Sequence, residues 1–223
     1  MKELLQKAIS KKQKALSEYE SKLVIAAAGV PVTREKLAHT PEEAASFAAE
    51  IGYPVALKGC SDRLTHKTES GVIHLNLDSP DDVMHAFEAI MKTAPGIDGV
   101  LVQEMIKGNR EFVMGLTRDP QFGPCVMFGL GGIFTEVLND VSFRIAPLTE
   151  EDAEEMMEEI RSRELLDEFR GSPAVDRDLI VRALVGIGDL GMKHEEIAEI
   201  DVNPLIVSGS RVVAVDALVV LKG

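Results

Sequence analysis

The feature that most constrains the fold is a series of short strand-like runs, joined by turn residues, that begins near residue 109. The runs are 111–117, 125–128, 133–138 and 142–146, with turns expected at Asp119-Pro120 and Asn139-Asp140. Strands that follow one another through such short turns pair in antiparallel order. The second half of the chain is therefore predicted to be built on an antiparallel sheet.

The first hundred residues are predicted to contain helices and single strands. Ser17 with Glu20, and Thr40 with Glu43, have the spacing of a capping box, in which side chains satisfy the exposed backbone donors of a helix start. The helices are expected to end near Gly29, Gly52 and the Pro95-Gly96 pair, and β-type runs lie at 54–58, 72–77 and 99–105.

The remainder of the chain predicts a helix opened by Thr149, a helix over about 178–190, and a strand pair at 201–207 and 211–220. This order indicates an α+β fold. We expect one domain over residues 1–223, formed by two units. A small α/β unit at 22–108 contains a polar loop at 60–71, and a larger antiparallel unit with flanking helices spans 109–223. Residues 1–21 are expected to form a helix packed on the larger unit, and a ligand is expected in a cleft between the units.

Composition narrows the class of protein. A formal net charge of −13 argues against nucleic acid or an anionic membrane as a partner. No apolar run has the length needed to cross a bilayer, and the lysine-bearing start does not resemble a signal peptide, so we expect a cytoplasmic protein. Cys60 and Cys125 are too few for a disulfide framework and are expected to be reduced.

Two basic side chains stand out in the first half. Lys58 is predicted at the end of an apolar strand, where a flexible ammonium suits a phosphate, although a solvent-facing lysine is the simpler reading. His66 lies in the polar loop and could be a general base, a metal ligand or a phosphoryl carrier. A mobile polar loop suits a carrier best, and an ordinary surface histidine is the alternative.

Two further segments could contact a nucleotide. The apolar run at 100–106 delivers Glu104 to the junction of the two units, where Glu104 or Glu111 could accept hydrogen bonds from ribose hydroxyls. An ordinary connecting strand is equally consistent with that spacing. The glycine-rich turn that contains Gly131 and Gly132 lies between two strands, so it is neither a Walker loop nor a dinucleotide fingerprint. It could still let the backbone approach a phosphate, and a tight strand connection is the alternative.

Oxygen ligands occur on the last strand pair. Asp201 and Asn203 lie on its first strand and Asp216 on its second, all within apolar sequence. An unpaired carboxylate is costly in such surroundings. Two protein oxygens, completed by phosphate oxygens and water, are a common way to hold Mg²⁺ beside a nucleotide. The sequence therefore predicts a metal site on this hairpin.

Taken together, these segments resemble the ATP-grasp subunit of ADP-forming acyl-CoA (acetate–CoA) synthetases, relatives of succinyl-CoA synthetase. The matching stretches are LSEYESK at 16–22, Leu57-Lys58 with His66-Lys67, VQEM at 102–105, TRDPQFGP at 117–124, FGLGG at 128–132 with Glu136, FRIAPL at 143–148, and DVNPL at 201–205 with Asp216. They follow a consistent order over nearly the whole chain.

The resemblance implies a role for each candidate residue. It implies that His66 receives a phosphoryl group and carries it to ADP, and that Lys58 and Arg144 are phosphate-stabilising cations. Adenosine would be held by Glu104, Met105 and Glu111, and phosphate by the glycine turn at Gly131 and Gly132. The Mg²⁺ ligands would be Asn203 and Asp216. The implied cofactors are ATP or ADP and Mg²⁺.

The resemblance also implies a partner chain. Many relatives are single long chains that include CoA-binding and phosphohistidine-bearing parts, which these residues do not match. A CoA-binding alpha-type subunit, in a heterotetramer, would supply them. Two alternatives stay open. One is another ATP-grasp carboxylate ligase, which would not need the His66 loop, and the other is a non-catalytic nucleotide-sensing module, which would need neither the metal ligands nor His66.

Overall fold

The computed structural model describes residues 1–62, 71–132, 139–168 and 170–222. The helices are α1 (Lys2–Ser10), α2 (Glu18–Ala27), α3 (Pro41–Ile51), α4 (Pro80–Thr93), α5 (Glu150–Glu159) and α6 (Arg177–Lys193), with a short 3-10 helix at Arg163–Leu166. The strands are β1 (Glu35–Ala38), β2 (Val55–Cys60), β3 (Ile73–Leu77), β4 (Gly99–Glu104), β5 (Glu111–Asp119), β6 (Gly123–Leu130), β7 (Val141–Ile145), β8 (Ile197–Ser208), β9 (Arg211–Ala214) and β10 (Leu218–Leu221). The strand predicted at 133–138 lies outside the described residues.

The chain divides into two units by its internal contacts. The larger unit consists of Met1–Lys14, Glu20–Val32 and Ile106–Gly223, and the smaller unit consists of Ala15–Tyr19 and Thr33–Met105. The sequence placed the start of the smaller unit at residue 22, whereas in the structure most of α2 belongs to the larger unit. The five residues of Ala15–Tyr19 belong to the smaller unit, whereas the segments on either side of them belong to the larger unit.

The smaller unit pairs helices with an antiparallel sheet. Within the described residues its strands follow the order β1-β4-β2-β3, and all neighbouring pairs are antiparallel. The predicted helix start at Thr40 is confirmed, because its hydroxyl accepts a hydrogen bond from the Glu43 N–H at 3.2 Å. Strand β1 has no β-branched residue and was not predicted; its pairing with β4 makes it a strand. The core lies between this sheet and helices α3 and α4.

The larger unit contains the antiparallel sheet that the turn pattern predicted. In the described part of the chain its order is β10-β8-β5-β6-β7, with β9 also paired to β8. Helices α5 and α6 contact β7, β6 and β5. Side chains of alternate residues, such as Leu116 and Val126, are buried toward these helices, and Phe112 stacks on Phe128 with ring centroids 5.4 Å apart. The opposite face of β7 leaves Phe143 about half exposed.

The prediction of one continuous strand over 211–220 is wrong, because the structure has two strands there. Strand β9 ends at Ala214 and β10 begins at Leu218, and both pair with the same edge of β8. The break faces an irregularity in β8, where the register with β5 shifts. These two interruptions determine the geometry of the candidate metal site.

None of the helices in the described ranges is long and apolar enough to cross a membrane. Cys60 is a buried free thiol and Cys125 is a half-buried one. Both therefore occur as the reduced side chains that the sequence predicted.

Candidate nucleotide and metal site

The interruption of the β8 ladder brings the predicted metal ligands together. Leu218 pairs with Asp201 and Ala214 pairs with Leu205, so residues 202–204 lie opposite residues 215–217. The Val215 N–H donates to the Pro204 carbonyl at 3.0 Å, which fixes the two segments beside each other. Asn203 and Asp216 therefore occupy facing positions, as the predicted pair requires.

Asp201 adds a third oxygen-bearing side chain, which the sequence analysis placed on the same strand but did not assign as a Mg²⁺ ligand. Burial, together with the nearby carboxylates of Glu199 and Asp216, raises the pKa of this carboxyl to about 6. Glu199 and Asp216 thus lie close enough to Asp201 to repel its negative charge. The two-residue spacing between Asp201 and Asn203 in an apolar strand was the available sequence signal.

These residues fit a magnesium ion by chemistry and charge. Carboxylate and amide oxygens are ligands that Mg²⁺ prefers, and the ion usually takes one or two carboxylates together with water and substrate phosphates. A divalent cation would relieve the repulsion that raises the pKa of Asp201. In the described ranges no three side chains of His, Cys, Asp or Glu form a complete metal cage. The arrangement suits an ion shared with a nucleotide.

The glycine turn lies next to Glu111 in the larger unit. The Gly131 N–H donates to the Glu111 carbonyl at 2.8 Å. A Cβ atom at Gly131 would lie 2.5 Å from the Phe112 carbonyl oxygen, so only glycine fits there. Gly132 has a backbone φ of +79°, which also favours glycine. Close packing thus explains both glycines, and their role toward a phosphate stays a prediction.

A cavity of about 350 Å³ adjoins this turn. Its lining consists of Asn109, Arg110, Glu111, Leu130, Gly131, Gly132 and Leu165. Three of the predicted cofactor-binding residues therefore share one concave surface. The accessible lining is mainly apolar and includes the acidic residue Glu111, a composition that suits a base and a sugar hydroxyl.

Arg110 is a buried residue that the sequence gave no reason to select. Its guanidinium donates to the carbonyls of Leu165 and Asp167 at 3.0 and 3.1 Å, and to those of Pro173 and Gly209 at 2.8 and 3.2 Å. It ties the segment around the 3-10 helix and the β8–β9 turn to the start of β5. Because Leu165 lines the cavity, Arg110 helps to hold the cavity wall in place.

Lys58 does not lie at a strand end. Strand β2 continues to Cys60, and the Lys58 side chain is 7% exposed, so the solvent-facing reading is wrong. Its Nζ donates to Glu18 Oε1 at 2.9 Å, and Glu18 is 1% exposed. The ammonium is therefore held inside the smaller unit by a buried carboxylate. Binding of phosphate by Lys58 stays a prediction.

Glu104 ends β4 and is already engaged by Arg34. Its Oε1 accepts from the Arg34 backbone N–H at 2.7 Å, and its Oε2 accepts from Arg34 Nε at 2.9 Å. Met105 follows as a half-buried residue. The carboxylate has further acceptor positions, so the proposed contact of Glu104 with a ribose hydroxyl stays a prediction.

Arg144 is held by two carboxylates of α5. Its guanidinium donates to both carboxylate oxygens of Glu159 at 2.7 and 2.9 Å and to Glu155 at 3.1 Å, and the hydrogen bonds to Glu159 raise its pKa. Arg144 pairs with Val126 of β6, so their side chains lie on the same face of the sheet, and Val126 is buried toward the helices. Asp201 pairs with Gly115, the neighbour of the helix-facing Leu116, so its side chain lies on the opposite face of the sheet. The structure therefore does not group Arg144 with the acidic cluster, and its catalytic role stays a prediction.

His66, the predicted phosphoryl carrier, lies outside the described residues, as does most of the 60–71 loop.

Comparison with known proteins defines the class first. Residues 7–221 match the model of the ATP-grasp domain, so this is an ATP-grasp protein. The beta subunit of ADP-forming acetate–CoA ligase I from Pyrococcus furiosus is 41% identical over 225 residues, covering 98% of this chain and 97% of that protein. ADP-forming acetate–CoA ligase I from Archaeoglobus fulgidus is 41% identical over 204 residues, and the match covers 89% of this chain but 30% of that protein.

A solved structure gives the same result. The dinucleotide-forming acetyl-coenzyme A synthetase 1 of Ca. Korarchaeum cryptofilum, in complex with coenzyme A, Ca-AMPCP and HgCl⁺, superposes with a TM-score of 0.93 at 45% identity, covering 99% of both chains. Another structure of that protein contains Mg-AMPPCP and has its phosphohistidine segment pointing towards the nucleotide-binding site; it has a TM-score of 0.88 at 45% identity and also covers 99% of both chains. The chain belongs to the family of ADP-forming acetate–CoA ligase beta subunits, within the ATP-grasp proteins.

Proposed function

We propose that this chain is the nucleotide-binding subunit of an ADP-forming acyl-CoA synthetase, which interconverts acyl-CoA, ADP and phosphate with a carboxylic acid, ATP and CoA. The observation that carries the proposal is the group of Asp201, Asn203 and Asp216 at the interrupted edge of β8. A chain without a metal-nucleotide ligand would gain nothing from two carboxylates, those of Asp201 and Asp216, that repel each other in this position.

Asn203 and Asp216 are proposed as Mg²⁺ ligands, and Asp201 as an additional anion facing the ion. The bound ion would neutralise charge on the nucleotide phosphates, which is the main requirement of phosphoryl transfer. Glu111 and the cavity beside Gly131 would receive the nucleoside. Lys58 and Arg144 are proposed as phosphate-stabilising cations on the basis of the family resemblance.

His66 is proposed as the phosphoryl carrier. Its ring nitrogen would attack the phosphorus of a phosphohistidine on the partner, so that one N–P bond forms as the other breaks. In the second step an oxygen of the ADP β-phosphate attacks the same phosphorus, which yields ATP and free His66. No net oxidation occurs, and the phosphoryl group alone is transferred.

The CoA-binding half is proposed to reside in an alpha-type partner subunit, in a heterotetramer. This chain matches 30% of the Archaeoglobus fulgidus protein, so most of that longer protein has no counterpart in these residues. The Pyrococcus furiosus relative is named as a beta subunit and matches over nearly its full length. A separate alpha-type chain would provide CoA binding.

The test is calorimetric titration of ADP with Mg²⁺ and with EDTA, on the wild type and on Asp216→Asn. We expect metal to strengthen ADP binding in the wild type and to have little effect in the variant. Asp189→Asn, an exposed carboxylate on α6 that pairs with Lys193, is the matched control and should behave as the wild type. Equal metal dependence in wild type and Asp216→Asn would refute the metal site.

A second test separates catalysis from nucleotide sensing. The chain alone should be inactive in acyl-CoA formation and should gain activity when the alpha-type partner is added. Radioactive ATP should label this chain with an acid-labile, base-stable phosphate. Nucleotide binding without such labelling, in the presence of the active partner, would favour the sensing module instead.

A further inference from the structure

The buried ion pair between Lys58 and Glu18 joins positions forty residues apart in the smaller unit. Lys58 lies within β2, and each of its strand partners, Leu101 and Ile73, comes from a neighbouring strand of the same sheet. Glu18 is the first residue of α2, and its Oε1 accepts from Lys58 Nζ at 2.9 Å. The two side chains are 7% and 1% exposed. Neither charge is therefore screened by bulk water.

A pair of this kind is a poor source of net stability. The desolvation of two ions offsets most of their attraction, so apolar side chains of similar volume generally stabilise a core at least as well. What the pair does provide is position. A lysine ammonium sits on a flexible four-carbon stem, whereas here a carboxylate holds it at one place. The carboxylate itself lies in the first turn of a helix, where the helix dipole favours a negative charge.

We infer that Glu18 is a positioning residue for Lys58 in nucleotide binding, an inference that rests on the proposed function. The ammonium is ordered before a phosphate arrives, so binding does not have to restrict its side chain. An ammonium has three N–H donors. The hydrogen bond to Glu18 fixes the direction of one N–H, and this limits the directions in which the other two can point. Glu18 acts through Lys58 and is not expected to touch the nucleotide.

The experiment compares ADP with adenosine, which lacks phosphate, on the full chain with its partner subunit. Dissociation constants are measured for the wild type, Glu18→Gln, Lys58→Met and the double variant. We expect Glu18→Gln to weaken ADP about tenfold and adenosine less than twofold. With Lys58→Met already present, Glu18→Gln should change the ADP-to-adenosine ratio no further, because the pathway through Lys58 is gone.

Glu50→Gln is the matched control, since Glu50 forms an exposed ion pair with Lys36 in the same unit. It should leave both affinities unchanged. If Glu18→Gln does not fold, Glu18→Asp keeps the charge and withdraws it by one methylene, and it should weaken ADP selectively as well. Equal weakening of ADP and adenosine, or an undiminished effect of Glu18→Gln in the Lys58→Met background, would overturn the inference.

The outcomes also separate this inference from the proposed function. A wild-type complex that binds no ADP refutes the proposed function. A wild-type complex that binds ADP, with an unchanged ADP-to-adenosine ratio in Glu18→Gln, refutes the positioning role alone.

Discussion

Replacing Asp201 by asparagine should stabilise the metal-free protein. The pKa of this carboxyl is about 6 against an ordinary value of 3.8, because burial and two neighbouring carboxylates oppose its ionisation. A difference of about two corresponds to at most about 3 kcal/mol of unfavourable free energy in the ionised folded state. Asp201 is half-buried, so solvent relieves part of this cost. We expect Asp201→Asn to raise the free energy of unfolding by about 1–2 kcal/mol at pH 7.

The sign of the pH dependence follows from the raised pKa. Between about pH 4 and pH 6 the folded protein binds a proton at Asp201 that the unfolded chain has released. The contribution of Asp201 to stability therefore falls as the pH rises through this window, and it stays low above it. The stability difference between Asp201→Asn and the wild type should be near zero at pH 4 and should reach its full value by pH 7.

Urea denaturation of both proteins in EDTA, at several pH values, measures this difference. The control is Asp189→Asn, which removes an exposed carboxylate and should change stability by less than about 0.5 kcal/mol. When Mg²⁺ and ADP are added, the wild type should become more stable than Asp201→Asn. The Asp201 carboxylate then faces a cation, so the ligands raise the free energy of unfolding of the variant by less than that of the wild type. An Asp201→Asn protein that is no more stable than the wild type at pH 7 without divalent ions would refute the reasoning.

Three further outcomes are expected. His66→Asn should abolish turnover and phosphate labelling of this chain, yet change the dissociation constant of ADP by less than about tenfold, or roughly 1.4 kcal/mol; label that persists on the variant would assign the carrier role to another residue. Arg110→Ala should lower the free energy of unfolding by roughly 2–4 kcal/mol, because four carbonyl acceptors lose a buried donor; Arg182→Ala, an exposed arginine on α6, is the control for urea denaturation, and equal effects would contradict the clamp. Gly131→Ala should lower the free energy of unfolding by about 1–3 kcal/mol, since the Cβ atom of the alanine would lie 2.5 Å from the Phe112 carbonyl oxygen. A variant as stable as the wild type in thermal melts would show that the turn tolerates a side chain.

Local features of the fold could be predicted because their causes are local in sequence. Thr149 caps α5 through a bond from the Asp152 N–H three residues on, and the capping pattern is visible in the sequence. The antiparallel sheet of the larger unit followed from the turns between its strands. Strand β1 could not be predicted in this way, because its pairing with β4 involves residues more than sixty positions away.

The candidate site shows the same limit. Asn203 and Asp216 could be selected because polar side chains in apolar strands need an explanation. The partner of Lys58 could not, since nothing in the sequence near β2 indicates that Glu18 reaches it. The face on which Arg144 lies depends on the register of β7 against β6, and a shift of one residue would reverse it. Arg110 was missed because its four acceptors are backbone carbonyls, which have no sequence signature.

The assignment of Ala15–Tyr19 to the smaller unit has a consequence for folding during synthesis. Every segment of that unit has been translated once Met105 is made, whereas the larger unit still lacks everything from Ile106 onward. The smaller unit, with its Glu18–Lys58 ion pair, can therefore form while the chain is still attached to the ribosome and most of the larger unit has not been synthesised. The same arrangement affects gene fragments. A fragment that encodes Thr33–Met105 would contain Lys58 without Glu18, so the buried ammonium would lose the carboxylate that holds it in the complete unit.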